Sequence, residues 1–79
     1  MKRTVYFYTK ENCPLCDEAL TLVQLFEKKC NLHIIVRDIY SNDEWLEKYQ
    51  LEIPVLQSDD FTLTGPDINI DTLQNTFNL

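Results

Sequence analysis

Cys13-Pro14-Leu15-Cys16 stands where the hydrophobic period of the chain changes from two to nearly four, and that junction constrains the fold more than any other stretch. Before it, Thr4-Val5-Tyr6-Phe7-Tyr8-Thr9 reads as a strand. Val5 and Phe7 point to one face, Tyr6 and Tyr8 to the other. Large residues on both faces predict a central strand covered on both sides. After the junction, Leu15, Ala19, Leu22, Val23, Phe26 and Cys30 recur at helical spacing. They predict a helix over Leu15 to Lys29 with one buried stripe. Asp17 and Glu18 early, and Lys28 and Lys29 late, suit the helix dipole.

The placement of the two thiols carries chemistry. With Cys13 at the N-cap, Pro14 falls at the first helical position, where its missing N–H costs nothing and its fixed φ suits the helix. Cys16 lies three residues after the cap, within reach of Cys13. The free N–H groups and the positive end of the dipole favour a thiolate at Cys13. Helix N-termini and Cys-x-x-Cys motifs lower a cysteine pKa from about 8.5 to roughly 3.5–7.5. A thiolate formed near neutral pH attacks disulfides, and the second thiol resolves the mixed disulfide that results.

Downstream, Leu32 to Ile39 reads as a second strand, completing a βαβ unit with parallel strands and a right-handed crossover. Ser41 with Glu44 predicts a capping box for a short helix whose inner face is Trp45, Leu46 and Tyr49. Val55-Leu56-Gln57 and Phe61-Thr62-Leu63 read as a hairpin around Ser58-Asp59-Asp60. Thr64-Gly65-Pro66-Asp67 breaks the chain. Ile70, Leu73 and Phe77 mark a last helix capped by Asn69 or Asp67. The predicted class is α/β in the order βαβαββα.

The 79 residues suit one small domain spanning 1–79. Net charge is −6 and its acids are dispersed, which argues against a nucleic-acid or anionic-membrane surface. Met1-Lys2-Arg3 leads into an apolar run shorter than a signal peptide's, and no segment nears the ~18 apolar residues of a membrane span. The expectation is a cytoplasmic monomer. In a reducing cytosol a Cys-x-x-Cys is catalytic or metal-binding rather than a structural disulfide.

Metal is the rival chemistry. Cys13, Cys16, Cys30 and His33 read as C-x-x-C, a spacer, then C-x-x-H. A helix through residue 29 would set Cys30 ~20 Å along the axis from Cys16, too far for one ion, so no metal ligands are expected. Cys30 then reads as a small buried hydrophobe and His33 as a polar residue starting the second strand. A cluster bridging two subunits through Cys13 and a non-catalytic binding module on the same scaffold complete the alternatives.

The element order, Tyr8-Thr9-Lys10-x-x-Cys13-Pro14-x-Cys16 and Ile53-Pro54-Val55 together resemble the glutaredoxin branch of the thioredoxin fold over nearly the whole chain. More narrowly, Cys13-Pro14-Leu15-Cys16-Asp17-Glu18-Ala19 is similar to small bacterial glutaredoxin-like proteins with a Cys-x-Leu-Cys-Asp-Glu-Ala motif. The resemblance implies a four-stranded mixed sheet flanked by helices. It implies a thiol–disulfide oxidoreductase acting on protein or small-molecule disulfides in cytoplasmic electron transport and redox homeostasis. Cys13 becomes the nucleophile, Cys16 the resolving thiol, and the Ile53–Pro54 peptide is cis and faces the disulfide. Lys10, Pro14, Leu15, Ile53, Pro54 and Gly65 become the substrate-binding set. The electron donor is a reductase or glutathione, with no tightly bound cofactor. Glutaredoxins commonly carry Gly-Gly before the last helix and an aromatic residue before the second Cys; here Gly65-Pro66 and Leu15 stand instead. With Asp17 and Glu18 beside the site, weak glutathione binding is expected, and a protein or peptide disulfide pairing with the Ile53 edge is the expected client.

Overall fold

The tyrosine and phenylalanine alternation of the first strand sets up a sheet with two apolar faces, and the computed structural model, which describes residues 2–78, shows both faces covered. The elements are β1 (Arg3–Thr9), α1 (Pro14–Leu25), β2 (Leu32–Asp38), α2 (Asp43–Tyr49), β3 (Val55–Gln57), β4 (Thr62–Thr64) and α3 (Ile70–Thr76). Two 3-10 turns, Ile39–Ser41 and Gly65–Asp67, precede α2 and α3. The sheet order is β2-β1-β3-β4. β1 pairs parallel with β2, with Val5 opposite Ile34 and Phe7 opposite Val36. It pairs antiparallel with β3, with Phe7 opposite Leu56, and β3 and β4 form the antiparallel hairpin.

On one face Val5, Phe7 and Leu56 pack with Ala19, Val23 and Phe26 from the α1 segment and Leu73 and Phe77 from the α3 segment. On the other, Tyr8 and Val55 pack with Ile39 and Tyr49, and Tyr6, Trp45, Leu46 and Ile53 close over them. This second face holds a cation that the sequence did not announce. The Arg37 guanidinium lies 4.0 Å from the Tyr6 ring centroid and 4.8 Å from that of Trp45. It donates to the Tyr8 hydroxyl at 3.0 Å. That hydroxyl donates in turn to Gln57 Oε1 at 3.3 Å, and the Tyr49 hydroxyl reaches the same oxygen at 3.5 Å.

Several boundaries differ from expectation, each for a local reason. Helix α1 stops at Leu25, not Lys29. The Phe26 and Glu27 N–H groups reach back three residues, to Val23 and Gln24, which tightens the last turn. Asn31 then turns left-handed at φ 52° and delivers Leu32 into β2. Leu15 is 69% exposed, so the buried stripe runs through Cys16, Ala19, Val23 and Phe26 instead. Asn42, not Ser41, caps α2, accepting the Glu44 and Trp45 N–H groups at 2.9 and 3.2 Å. The Ser41 hydroxyl bonds the Asp38 carbonyl in the preceding turn. Ile39 leaves β2 to open that turn, and β4 begins one residue late, at Thr62. Asn69 caps α3 through the Thr72 N–H, and Ile68 rather than Ile70 is buried.

Candidate active site

The loop after β1 turns at Asn12, left-handed at φ 56°, and sets Cys13 at the N-cap of α1. Cys13 is extended, at φ −122° and ψ 92°, and its carbonyl already accepts the Asp17 N–H at 3.0 Å. Its Sγ accepts the Cys16 N–H at 3.2 Å, the bond that a Ser or Asn oxygen makes at an ordinary cap. Pro14 occupies the first turn without withdrawing a needed donor. Cys13 and Cys16 are joined in a disulfide, with their Cα atoms 5.2 Å apart. The two sulfurs have different surroundings: Cys16 is fully buried, whereas Cys13 is partly exposed.

The second component is the Ile53–Pro54 segment, whose peptide bond is cis. The Pro54 carbonyl accepts the Gly65 N–H at 2.8 Å, tying the entry to β3 to the turn after β4. The Ile53 N–H donates to the Tyr49 carbonyl at 3.1 Å. Both amides are therefore engaged inside the fold. A client pairing with the Ile53 edge, as the sequence suggested, cannot use the Ile53 N–H, which Tyr49 engages. A carboxylate approaching Gly65 finds its amide occupied, followed by Pro66, which has none.

Between α1, the Ile53–Pro54 segment and the Gly65 turn lies an open cavity of about 500 Å³. Leu15, Ile53, Pro54 and Gly65 of the expected substrate-binding set line it together. Pro14 stays exposed at the helix start, and Lys10 is exposed in the loop, outside the cavity lining and without an ion pair among the described residues. The sequence reading missed Leu51 and Glu52, which also line the cavity. Their signal was a large apolar residue standing outside any periodic pattern just before Ile53-Pro54; Leu51 is 94% exposed.

The four-ligand metal reading rested its exclusion on a helix through residue 29, and that premise is corrected by the end of α1 at Leu25. Cys30 packs partly buried against the core containing Phe26, and His33 is exposed on β2. Among the described residues no group of three or more His, Cys, Asp or Glu side chains is placed to hold an ion. No helix of the described residues is long and apolar enough to cross a membrane.

Residues 4–78 match the family model described as a glutaredoxin-like domain (DUF836). The fold is similar to the solution structure of the oxidised thioredoxin from Plasmodium falciparum, with a TM-score of 0.69 at 18% identity, covering 98% of this chain and 79% of that one. It is also similar to the crystal structure of a mutant of the thioredoxin-like protein BC3987, with a TM-score of 0.62 at 24% identity, covering 99% of this chain and 97% of that one. The architecture, a four-stranded mixed sheet with three helices, is thus α/β and thioredoxin-like.

Proposed function

This chain belongs to the glutaredoxin-like family, and from that membership and its capped cysteine pair we propose that it is a thiol–disulfide oxidoreductase working through Cys13 and Cys16. The observation that carries the reading is the cap itself: Cys13 Sγ takes the Cys16 N–H at the positive end of α1, while Cys16 is sealed beneath. In the dithiol form the same position favours negative charge on Cys13 Sγ. That thiolate attacks one sulfur of a client disulfide, and the other client sulfur leaves and takes up a proton. Cys16 then loses its proton and attacks Cys13 Sγ. The second client thiol is released, and the Cys13–Cys16 disulfide holds the two electrons' worth of oxidation. A dithiol reductase or a monothiol such as glutathione returns the pair to the reduced state, in a reducing compartment such as the cytoplasm.

Cys16→Ser is the test. It should accumulate a mixed disulfide on Cys13 with a model peptide disulfide, seen by intact mass and peptide mapping. Alkylation of the reduced wild-type protein should modify Cys13 well before Cys16. Faster alkylation of Cys16 would reverse the roles. Absence of exchange with every disulfide offered would leave a binding module on this scaffold.

A further inference from the structure

The cavity lined by Leu15, the residue between Pro14 and Cys16, has a one-sided chemistry, though neither cysteine is in its lining. Its walls are aliphatic, with Leu15, Leu22, Ile53 and Ile68 among them, and the side chains of Leu15 and Leu51 stand 69% and 94% exposed. Among the described residues its only charged lining is Glu18, one turn along α1 from Pro14, and Glu52, next to Ile53. Both are exposed, and no Lys or Arg among the described residues lines the cavity. Neither carboxylate has an ion-pair partner among the described residues.

We propose that this cavity selects the client: a protein or peptide segment whose disulfide cysteine is flanked by an aliphatic side chain and a Lys or Arg. The inference rests on the oxidoreductase reading and names its substrate class. The aliphatic side chain enters the cavity and covers Leu15 and Leu51, which the described residues leave largely exposed. The cation sits between the Glu18 and Glu52 carboxylates at the rim. The client backbone donates to the Ile53 carbonyl, which pairs with no backbone N–H among the described residues, while the Ile53 N–H is engaged by Tyr49. Acidic clients, glutathione among them, meet two carboxylates and no cation in the lining. The redox step is the one above: Cys13 Sγ bonds the client sulfur, the client's partner sulfur leaves as a thiol, and Cys16 completes the two-electron transfer to give the Cys13–Cys16 disulfide.

Two peptides test this, each with Leu beside a cysteine that is disulfide-linked to a neutral thiol, one carrying Lys and the other Glu at the next position. Exposed ion pairs are weak individually, so two of them should give about a fivefold higher kcat/KM for the Lys peptide at low salt. The preference should shrink at high salt and vanish in the Glu18→Gln, Glu52→Gln double variant. A second readout is independent of exchange: the same peptides with Ser for Cys, titrated into the oxidised protein and followed by amide shifts. Shifts at Leu51 and Glu52 with the Lys peptide and weaker ones with the Glu peptide support the assignment, even if no exchange occurs and the oxidoreductase reading falls. Equal kcat/KM for the two peptides, a preference surviving in the double variant, or equal shifts would overturn it.

Discussion

Replacing Arg37 with Met removes a cation and keeps most of its apolar stem. The guanidinium rests 4.0 Å from the Tyr6 centroid and 4.8 Å from the Trp45 centroid, and it donates to the Tyr8 hydroxyl at 3.0 Å. No carboxylate among the described residues pairs with it, so the aromatic faces and that one hydroxyl are its compensation for partial burial. A cation–π contact at a partly desolvated site contributes about 1 kcal/mol. The hydrogen bond contributes about another 1 kcal/mol, and the Met side chain recovers some packing but neither polar interaction. The sum is about 2 kcal/mol. For a domain of this length each kcal/mol moves the melting temperature by about 4–8 °C, so Arg37→Met should melt roughly 8–16 °C lower. Arg37→Lys should recover only part of the loss, since a compact ammonium cannot stack across two rings as a planar guanidinium does. Thermal and urea unfolding, followed by circular dichroism and Trp45 fluorescence, measure the shift. A cycle with Tyr6→Leu should show coupling of about 0.5–1 kcal/mol. An unchanged melting temperature in Arg37→Met together with zero coupling would refute the account, leaving Arg37 as a solvated charge lying over a stable aromatic face.

Phe26 is 6% exposed and meets the Phe77 ring at a centroid distance of 6.1 Å, so Phe26→Ala should lose about 3–5 kcal/mol in urea titration; an unaltered midpoint would contradict that packing. Asn42→Ala should cost about 1 kcal/mol through loss of the α2 cap, measured by thermal melting, while Ser41→Ala should cost less, the reverse of what a capping box starting at Ser41 requires. Glutathione should bind reduced Cys16→Ser protein only weakly, because Gly65 N–H is engaged by Pro54 and Pro66 has none; saturable amide shifts at Ile53 and Gly65 at sub-millimolar glutathione would show a site that the fold does not explain.

The parts of the structure that were legible in the sequence are those where one residue does several things at once. Cys13, Pro14 and Cys16 define a strand end, a cap and a first turn together, so their positions followed from backbone chemistry alone. The two faces of β1 followed from strict alternation. The end of α1 did not, because Phe26 stays buried and Cys30 half-buried on helical spacing even though residues 26–31 are turns. Burial periodicity cannot distinguish a continuing helix from a tightened turn that keeps the same residues inward. Asn42 lost to Ser41 in the reading because only Ser41 has a Glu three residues on; Asn42 has Trp45 there and caps the helix without a reciprocal acid. The cavity was half legible. Ile53, Pro54 and Gly65 were marked by the resemblance to glutaredoxins, whereas Leu51 and Glu52 join them only through tertiary placement. Arg37 was illegible for the same reason: its partners Tyr6 and Trp45 come from two other elements.

The central position of β1 also governs the order in which this chain can mature. Its parallel partner, β2, follows within the next thirty residues or so, but its antiparallel partner is Val55–Gln57. Pairings this distant in sequence close late, because loop entropy must be overcome first. Until residues 55–57 dock, one edge of β1 presents open N–H and C=O groups. Within β1 the stretch Thr4-Val5-Tyr6-Phe7-Tyr8-Thr9 is uncharged, free of Gly and Pro, and rich in aromatic and β-branched residues, the composition of a self-associating segment. Lys2 and Arg3 stand on one side of it and Lys10 on the other. Like charges flanking such a segment oppose the pairing of two copies of it before the hairpin covers it.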